Sequence, residues 1–219
     1  MDGTAIAYRA FFAIRQLSTR AGRPTNAVYG FIRMVRQLEA AWRPSHWAVV
    51  FDGGLPAARM QLLPAYKAQR EKMPDELRQQ FAPIEEYLRR SAVATVRLEA
   101  QEADDAMASL TARARADGAE VLLATSDKDL LQLVADGVAV VSPVAGGARM
   151  GPAEVEAKLG VAPGRVVEWL ALTRDTADNI PGVPGVGPKT AARLLHDFGS
   201  LAGVWARLTS SEAALNLIK

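Results

Sequence analysis

The sequence predicts an α/β protein: a mostly parallel central sheet flanked by helices, followed by a C-terminal helical region. Three observations carry that prediction. Short apolar runs alternate with helix-period segments through the first 150 residues, the pattern of a parallel sheet covered on both faces. Acidic residues recur just after the apolar runs, where ligands of such sheets sit. From Gly151 onward the pattern changes to short helices punctuated by glycine and proline, which places a boundary near residue 150.

The elements follow in order. Residues 26–43 (NAVYGFIRMVRQLEAAWR) carry apolar positions at helical spacing, and Pro44 stops them. His46–Phe51 (HWAVVF) is a strand-like run ended by Asp52-Gly53-Gly54. Residues 75–90 form a second amphipathic helix and 102–117 a third, closed by Gly118. Glu120–Ala124 and Val138–Val141 are buried-strand candidates around a helix near 128–135. No internal repeat or low-complexity tract interrupts the series.

Composition narrows the chemistry. With 219 residues, 49% of them hydrophobic and 23% charged, the chain is long enough for a substantial core and has a globular balance. Its apolar runs fall short of the roughly 20 residues of a membrane span, and no basic-then-apolar leader opens it, so a cytoplasmic, monomeric protein without membrane partners is expected. The absence of cysteine excludes disulfides, thiolate zinc sites and a cysteine nucleophile. Two separated histidines, His46 and His196, leave little for an imidazole metal site. The four tryptophans, at 42, 47, 169 and 205, read as packing residues.

Net charge is only +2, but it is segregated. Residues 1–43 hold seven arginines against Asp2 and Glu39; residues 99–129 hold eight acids against three bases. A basic flank beside an acidic focus suits a protein that grips a polyanion and works on it through metal ions, although solvated helix faces would produce the same segregation.

The carboxylates at element ends are Asp2, Asp52, Glu102, Asp104, Asp105, Asp127, Asp129, Asp175 and Asp178. Singly, several would suit helix N-termini, and Asp52 before Gly53 would suit a turn. Gathered at one end of a sheet, they repel one another and need cations. Oxygen-only ligands indicate hard divalent ions, Mg²⁺ with Mn²⁺ as substitute, and a pair of ions is the clamp for in-line phosphodiester chemistry.

Residues 179–195 (NIPGVPGVGPKTAARLL) hold a glycine hairpin. Gly185-Val186-Gly187 makes a tight turn, Pro188 suits a first helical position, and Lys189-Thr190 open a helix whose Ala191, Leu194 and Leu195 face inward. Backbone N–H groups and Lys189 then face an anion without reading bases. A tight helix–helix turn needing glycine geometry is the alternative, and the spacing is not that of a Walker loop.

The ordered strings MDGTAIAYRAFFA, VVFDGG, LPAYKAQREKMPDEL, QEADDAMASL, ATSDKDLLQLV and LTRDTADNIPGVPGVGPKTAARLL closely resemble the bacterial 5′-nuclease family. That family comprises the 5′-to-3′ exonuclease domain of DNA polymerase I and stand-alone flap endonucleases. The resemblance implies a catalytic domain over 1–150, with a helical arch at about 60–90, and a DNA-binding region over 151–219 with a helix–hairpin–helix at about 179–197. It implies that Asp2, Asp52, Glu102 and Asp104 gather around one metal ion. Asp105, Asp127, Asp129, Asp175 and Asp178 would gather around a second, some through water. Lys67 and Arg70, on an arch stretch running from Tyr66 to Lys72, would contact the scissile phosphate, and Arg9 would assist. Tyr66 would stack on a base or pack as a helix tyrosine. Gly185, Gly187, Lys189 and Thr190 would hold the DNA backbone, and carbonyls at Val183 and Val186 a K⁺ ion. The implied substrate is branched, flapped or nicked DNA, cut to 5′-phosphate and 3′-hydroxyl ends. A catalytically impaired DNA-junction binder of the same fold is the alternative.

Three departures from the family pattern carry expectations. Only Met1 precedes Asp2 where the family has a hydrophobic strand, which predicts a weakly anchored Asp2 and a sheet lacking a member. The chain ends at Lys219, short of the family's usual helical region, which predicts a weaker grip on the downstream duplex. Arg174 replaces a glycine and would either pair with Asp175 or meet a phosphate.

Overall fold

A computed structural model describes residues 1–144 and 147–209. The expected C-terminal region therefore extends beyond the described residues from 210 to 219. The chain runs α1 (Gly3–Ala13), α2 (Asn26–Trp42), β1 (Ala48–Phe51), α3 (Ala57–Leu62), α4 (Asp75–Arg90), β2 (Ala94–Arg97), α5 (Ala103–Ala116) and β3 (Val121–Ala124). A 3₁₀ turn at Asp129–Leu133, β4 (Val138–Val141), β5 (Arg149–Met150) and α6 (Pro152–Leu159) follow. A 3₁₀ turn at Pro163–Arg165, α7 (Val166–Leu172), α8 (Pro188–Phe198) and α9 (Leu201–Thr209) complete the described chain.

β1 pairs with β2 in parallel, Val50 opposite Val96, and β3 pairs with β4 in parallel, Leu123 opposite Val140. β5 joins β4 antiparallel. The sheet is thus split into two small ones, and Met1 and Asp2 lie in the seam. Met1 O accepts from Val50 N–H at 2.8 Å, and Asp2 N–H donates to Ala124 O at 3.0 Å. The seam divides the sheet, but the expectation of a weakly anchored Asp2 is corrected. The dipeptide reaches both halves, and Asp2 is buried at 5% exposure.

Local chemistry explains the helices. α2 ends where Arg43 adopts a left-handed φ of 43° before Pro44. α4 buries Leu77, Ile84 and Leu88 along one stripe. Between α3 and α4, residues 64–69 form turns and residues 70–74 lack regular structure. Of the helical arch expected at about 60–90, the end of α3 and all of α4 are helical, while the stretch from Tyr66 to Lys72 is not. The helix expected near 128–135 is a 3₁₀ turn of five residues.

One apolar cluster, including Ile6, Phe31, Val49, Leu77 and Leu88, lies between α1, α2, α4 and β1. Another joins Val50, Met107, Leu123 and Val140 to Val155, Val166, Trp169 and Leu195. The C-terminal helices therefore pack on the same core as β3 and β4 and are held firmly against the acidic sheet ends. Among the described residues, no helix is long and apolar enough to cross a membrane.

Candidate active site

Each carboxylate is held by its own local device. Asp2 caps α1, its Oδ1 accepting from Ala5 N–H at 2.8 Å, while Thr125 Oγ1 donates to its Oδ2 at 3.3 Å. Asp52 leaves β1 with its N–H on Thr4 Oγ1, and its Oδ1 accepts from Ala103 N–H at 2.8 Å, capping α5 from another element. The next residue has to be glycine: a Cβ on Gly53 would lie 1.8 Å from Leu98 O. Glu102 sits at the α5 N-cap position, with Asp104 and Asp105 in the first turn, where the helix dipole favours negative charge. Asp127 follows β3 and accepts from Asp129 N–H at 2.9 Å. Asp175 accepts from the N–H groups of Ala177 and Asp178 at 2.8 and 3.2 Å.

These residues line two clefts that share Glu102 and Asp104. The larger, about 790 Å³, is lined by Asp2, Asp52, Glu102, Asp104 and Asp127, with Lys67, Arg70, Arg78 and Arg97 as its basic members. The smaller, about 400 Å³, is lined by Asp105, Asp129 and Asp178 with Arg59 and Tyr66. All four carboxylates expected around a first ion thus face the larger cleft. Of the second set, Asp105, Asp129 and Asp178 face the smaller, Asp127 faces the larger, and Asp175 is in the lining of neither.

The carboxylates separate into those with a basic partner and those without. Lys67 and Arg59 both bond Glu102, and Tyr66 Oη donates to it at 2.8 Å. Burial works against the charge on Glu102, but the bonds from Lys67 and Tyr66 outweigh it and hold the carboxyl below its usual range. Asp178 meets Arg70 at 2.7 Å and Lys67 at 3.4 Å. Asp175 pairs with Lys128 at 2.9 Å, and that bond overcomes burial to lower its pKa. In contrast, burial pushes Asp104 up to about 8, with Asp127, Asp2 and Asp52 adding like-charge repulsion. Burial likewise raises Asp2 and Asp129 to about 6. Asp129 Oδ1 is buried without a hydrogen-bond partner, a cost that a ligand would remove.

This donor set suits hard divalent ions: all oxygen, mutually repelling, with an orphaned buried acceptor. As the side chains stand, no group of three or more acidic residues converges closely enough among the described residues to hold an ion. Arg59, Lys67, Arg70 and Lys128 each hold an acid in an ion pair instead.

Other expected residues fall differently. The Tyr66 ring is 8% exposed, with its hydroxyl on Glu102 and Asp178, so it is packed, from a turn rather than a helix. Lys72 and Arg9 are exposed, and neither lines a cleft; Tyr8, beside Arg9, does. Arg174 is exposed and the ion pair of Asp175 goes to Lys128, so the expected Arg174–Asp175 pairing is not made. His46 and His196 are exposed and lie outside both clefts. Trp169 packs, donating to Pro188 O at 3.1 Å, but Trp205 is 68% exposed, which corrects its packing role.

The glycine hairpin forms as the residues imply. Gly185 has a φ of 79°, Val186 N–H bonds Val183 O at 3.0 Å, and Gly187 caps α8 with Pro188 at its first position. Lys189 is exposed and Thr190 half-buried at this helix start, while Ala191 and Leu195 are buried. Sequence reasoning missed Arg59, Arg78 and Arg97. Arg59 lies on α3, which buries no residue and so has no apolar period to reveal it.

Two family models cover the chain: a 5′-3′ exonuclease N-terminal resolvase-like domain over residues 1–160 and a 5′-3′ exonuclease C-terminal SAM fold over 161–218. A 5′-3′ exonuclease of Aquifex aeolicus is 41% identical over 204 residues, covering 93% of this chain and 70% of that protein. DNA polymerase I of Bacillus caldotenax is 41% identical over 211 residues, 95% of this chain but 24% of the polymerase. In structure, the bacteriophage T5 flap endonuclease, solved as a pseudo-enzyme-product complex with DNA and metal ions, aligns at a TM-score of 0.77. That alignment has 21% identity and covers 99% of this chain and 81% of the T5 chain. The catalytic core of Rad2 with DNA substrate aligns at 0.65 with 18% identity, over 96% of this chain and 62% of that one. With its ordered acidic clefts, its glycine hairpin and matches along nearly its whole length, the chain belongs to the 5′-3′ exonuclease family.

Proposed function

We propose that this protein, acting as a monomer, hydrolyses phosphodiester bonds near the 5′ end of branched, flapped or nicked DNA. The observation that carries the reading is the larger cleft, where Asp2, Asp52, Glu102, Asp104 and Asp127 lie with Lys67 and Arg70. Asp2, Asp52, Glu102 and Asp104 would hold one divalent ion, and Asp105, Asp127, Asp129, Asp175 and Asp178 a second, some through water. When bound, Mg²⁺ or Mn²⁺ supplies Lewis-acid activation of the attacking water and neutralises charge developing on the phosphate. Known relatives support the assignment, since the T5 enzyme has been solved with zinc and with DNA and metal ions.

The side chains of this protein orient and grip the substrate. Lys67 and Arg70 now neutralise Glu102 and Asp178. Turned to a scissile phosphate they stabilise its charge as the bond to the leaving 3′ oxygen breaks. The products are a 5′-phosphate and a 3′-hydroxyl. The hairpin at 182–190 holds backbone phosphates through N–H groups, Lys189 and Thr190, with a K⁺ ion on carbonyls such as those of Val183 and Val186. Arg9, Lys72 and the exposed arginines of α2 extend the basic approach.

The test is cleavage of a 5′-end-labelled flap duplex with Mg²⁺ and then with EDTA, resolving product lengths. Mg²⁺-dependent cuts near the junction support the proposal. Junction binding without cutting, in Mg²⁺ or Mn²⁺, supports a DNA-junction binder that has lost catalysis.

A further inference from the structure

Arg59 ties Glu102 of the first expected set to Asp105 of the second, as Lys67 ties Glu102 to Asp178. Its Nη1 and Nη2 reach both oxygens of Asp105 at 3.0 and 2.7 Å, and Nη1 also bonds Glu102 Oε2. A guanidinium fork engages both oxygens of a carboxylate in this bidentate way and sets a positive charge against any other cation approaching them. The other oxygen of Glu102 is taken by Lys67. Of the three acids at the start of α5, only Asp104 lacks a basic partner, and it is the one that faces Asp2, Asp52 and Asp127.

Arg59 is free to leave that position. Its side chain is 41% exposed, and α3 buries no residue, so rotating it away opens no hole in the apolar core. The smaller cleft that it lines also contains the orphaned Asp129 and the carboxylate of Asp178. A cation drawn to that cleft by Asp129 meets Asp105 already occupied.

We infer that Arg59 is an exchangeable counter-cation: it holds Asp105 and Glu102 in place while the smaller cleft lacks a metal ion, and a divalent ion must displace it from Asp105 to bind there. The inference rests on the metal-dependent reading above and adds a resident competitor to it. Removing the competitor should improve ion binding even where it harms the enzyme in other respects. Arg59 is thus a positioning residue that acts through Asp105.

The test is a Mn²⁺ titration without DNA, by calorimetry, on wild type, Arg59→Gln, Arg59→Lys and each combined with Asp105→Asn. Arg59→Gln should tighten the weaker Mn²⁺ site about tenfold, equivalent to about 1.4 kcal/mol. Arg59→Lys keeps the charge but not the fork and should tighten it about threefold, so it carries the test alone if the glutamine variant does not fold. Both gains should vanish when Asp105 is asparagine. Wild type binding no Mn²⁺ would defeat the metal-dependent reading itself. Wild type binding Mn²⁺ with no gain in either variant, or a gain that survives Asp105→Asn, would overturn the role of Arg59 alone.

Discussion

Asp104 concentrates the electrostatic problem of this site in one residue. It is pushed up to about 8 by burial and by Asp127, Asp2 and Asp52, with Asp2 and Asp129 raised to about 6. A carboxyl whose folded pKa exceeds its unfolded value of about 4 binds more protons in the native state. Its favourable contribution is complete below about pH 4 and is lost as pH rises to about 8. Glu102 and Asp175, lowered by Lys67 and Lys128, act oppositely and lose their contribution only as pH falls below the ordinary carboxylate range. In EDTA, Asp104→Asn should therefore raise the melting temperature at pH 8 by roughly 3 °C or more and change it little at pH 4. Equal shifts at both pH values would show that Asp104 is not under this strain. The carboxylates themselves were legible in the sequence, because acids following apolar runs mark sheet ends. Their partners were not: Thr125, Arg59 and Lys128 are matched to them by tertiary contact, which no local spacing encodes.

At the scale of elements, the long periodic helices were the most legible. The residues predicted α4 and β4 at their observed limits and α2, α5, β1 and β3 to within two residues. β2 was missed because three of its four residues are exposed, which leaves no apolar run. α3 was missed because it buries nothing. The fit between elements depends on a polar device that periodicity cannot show. Gln80 of α4 is 1% exposed; it accepts from Ala27 and Val28 N–H at the start of α2 and donates to Asn26 Oδ1 at 2.8 Å. Asn26 in turn donates to Phe11 and Ile14 carbonyls. Gln80→Leu leaves these buried groups unpaired at about 1–3 kcal/mol each, so the melting temperature should drop by several degrees. Mn²⁺ affinity should not change, and a weaker Mn²⁺ site would mean that α2 helps to shape the acidic clefts. The turns at 64–69 are likewise held by contacts far along the chain. Gln69 Nε2 bonds Thr176 O at 2.7 Å, Lys67 N–H bonds Asp178 O at 3.1 Å, and Asn179 Nδ2 bonds Ala65 O at 2.8 Å. The segment that carries Lys67 and Arg70 is thus docked on the turn that carries Asp175 and Asp178.

Across the whole molecule, charge segregation seen along the sequence persists in three dimensions. Between Gly3 and Leu38 there are six arginines and no acid, and all six are exposed on α1, α2 and the loop between them. The acids gather at the other edge of α1, around Asp2. On the proposed reading, these exposed arginines attract a polyanion toward the acidic clefts. On the same proposed reading the glycine hairpin before α8 adds a second hold. Lys189→Ala should weaken DNA binding alike for all sequences and reduce the salt slope by about one. A loss that depends on sequence would contradict a backbone-only contact.

The clefted carboxylates are proposed to hold the ions with which DNA is cut. The most direct test compares Mg²⁺-dependent cleavage and binding of one flap duplex by wild type, Asp127→Ala and Asp129→Ala. Cleavage should fall by about 100-fold or more in both variants, beyond the loss expected from an outer-sphere partner, while DNA affinity stays nearly unchanged. Retained turnover in both variants would contradict the claim.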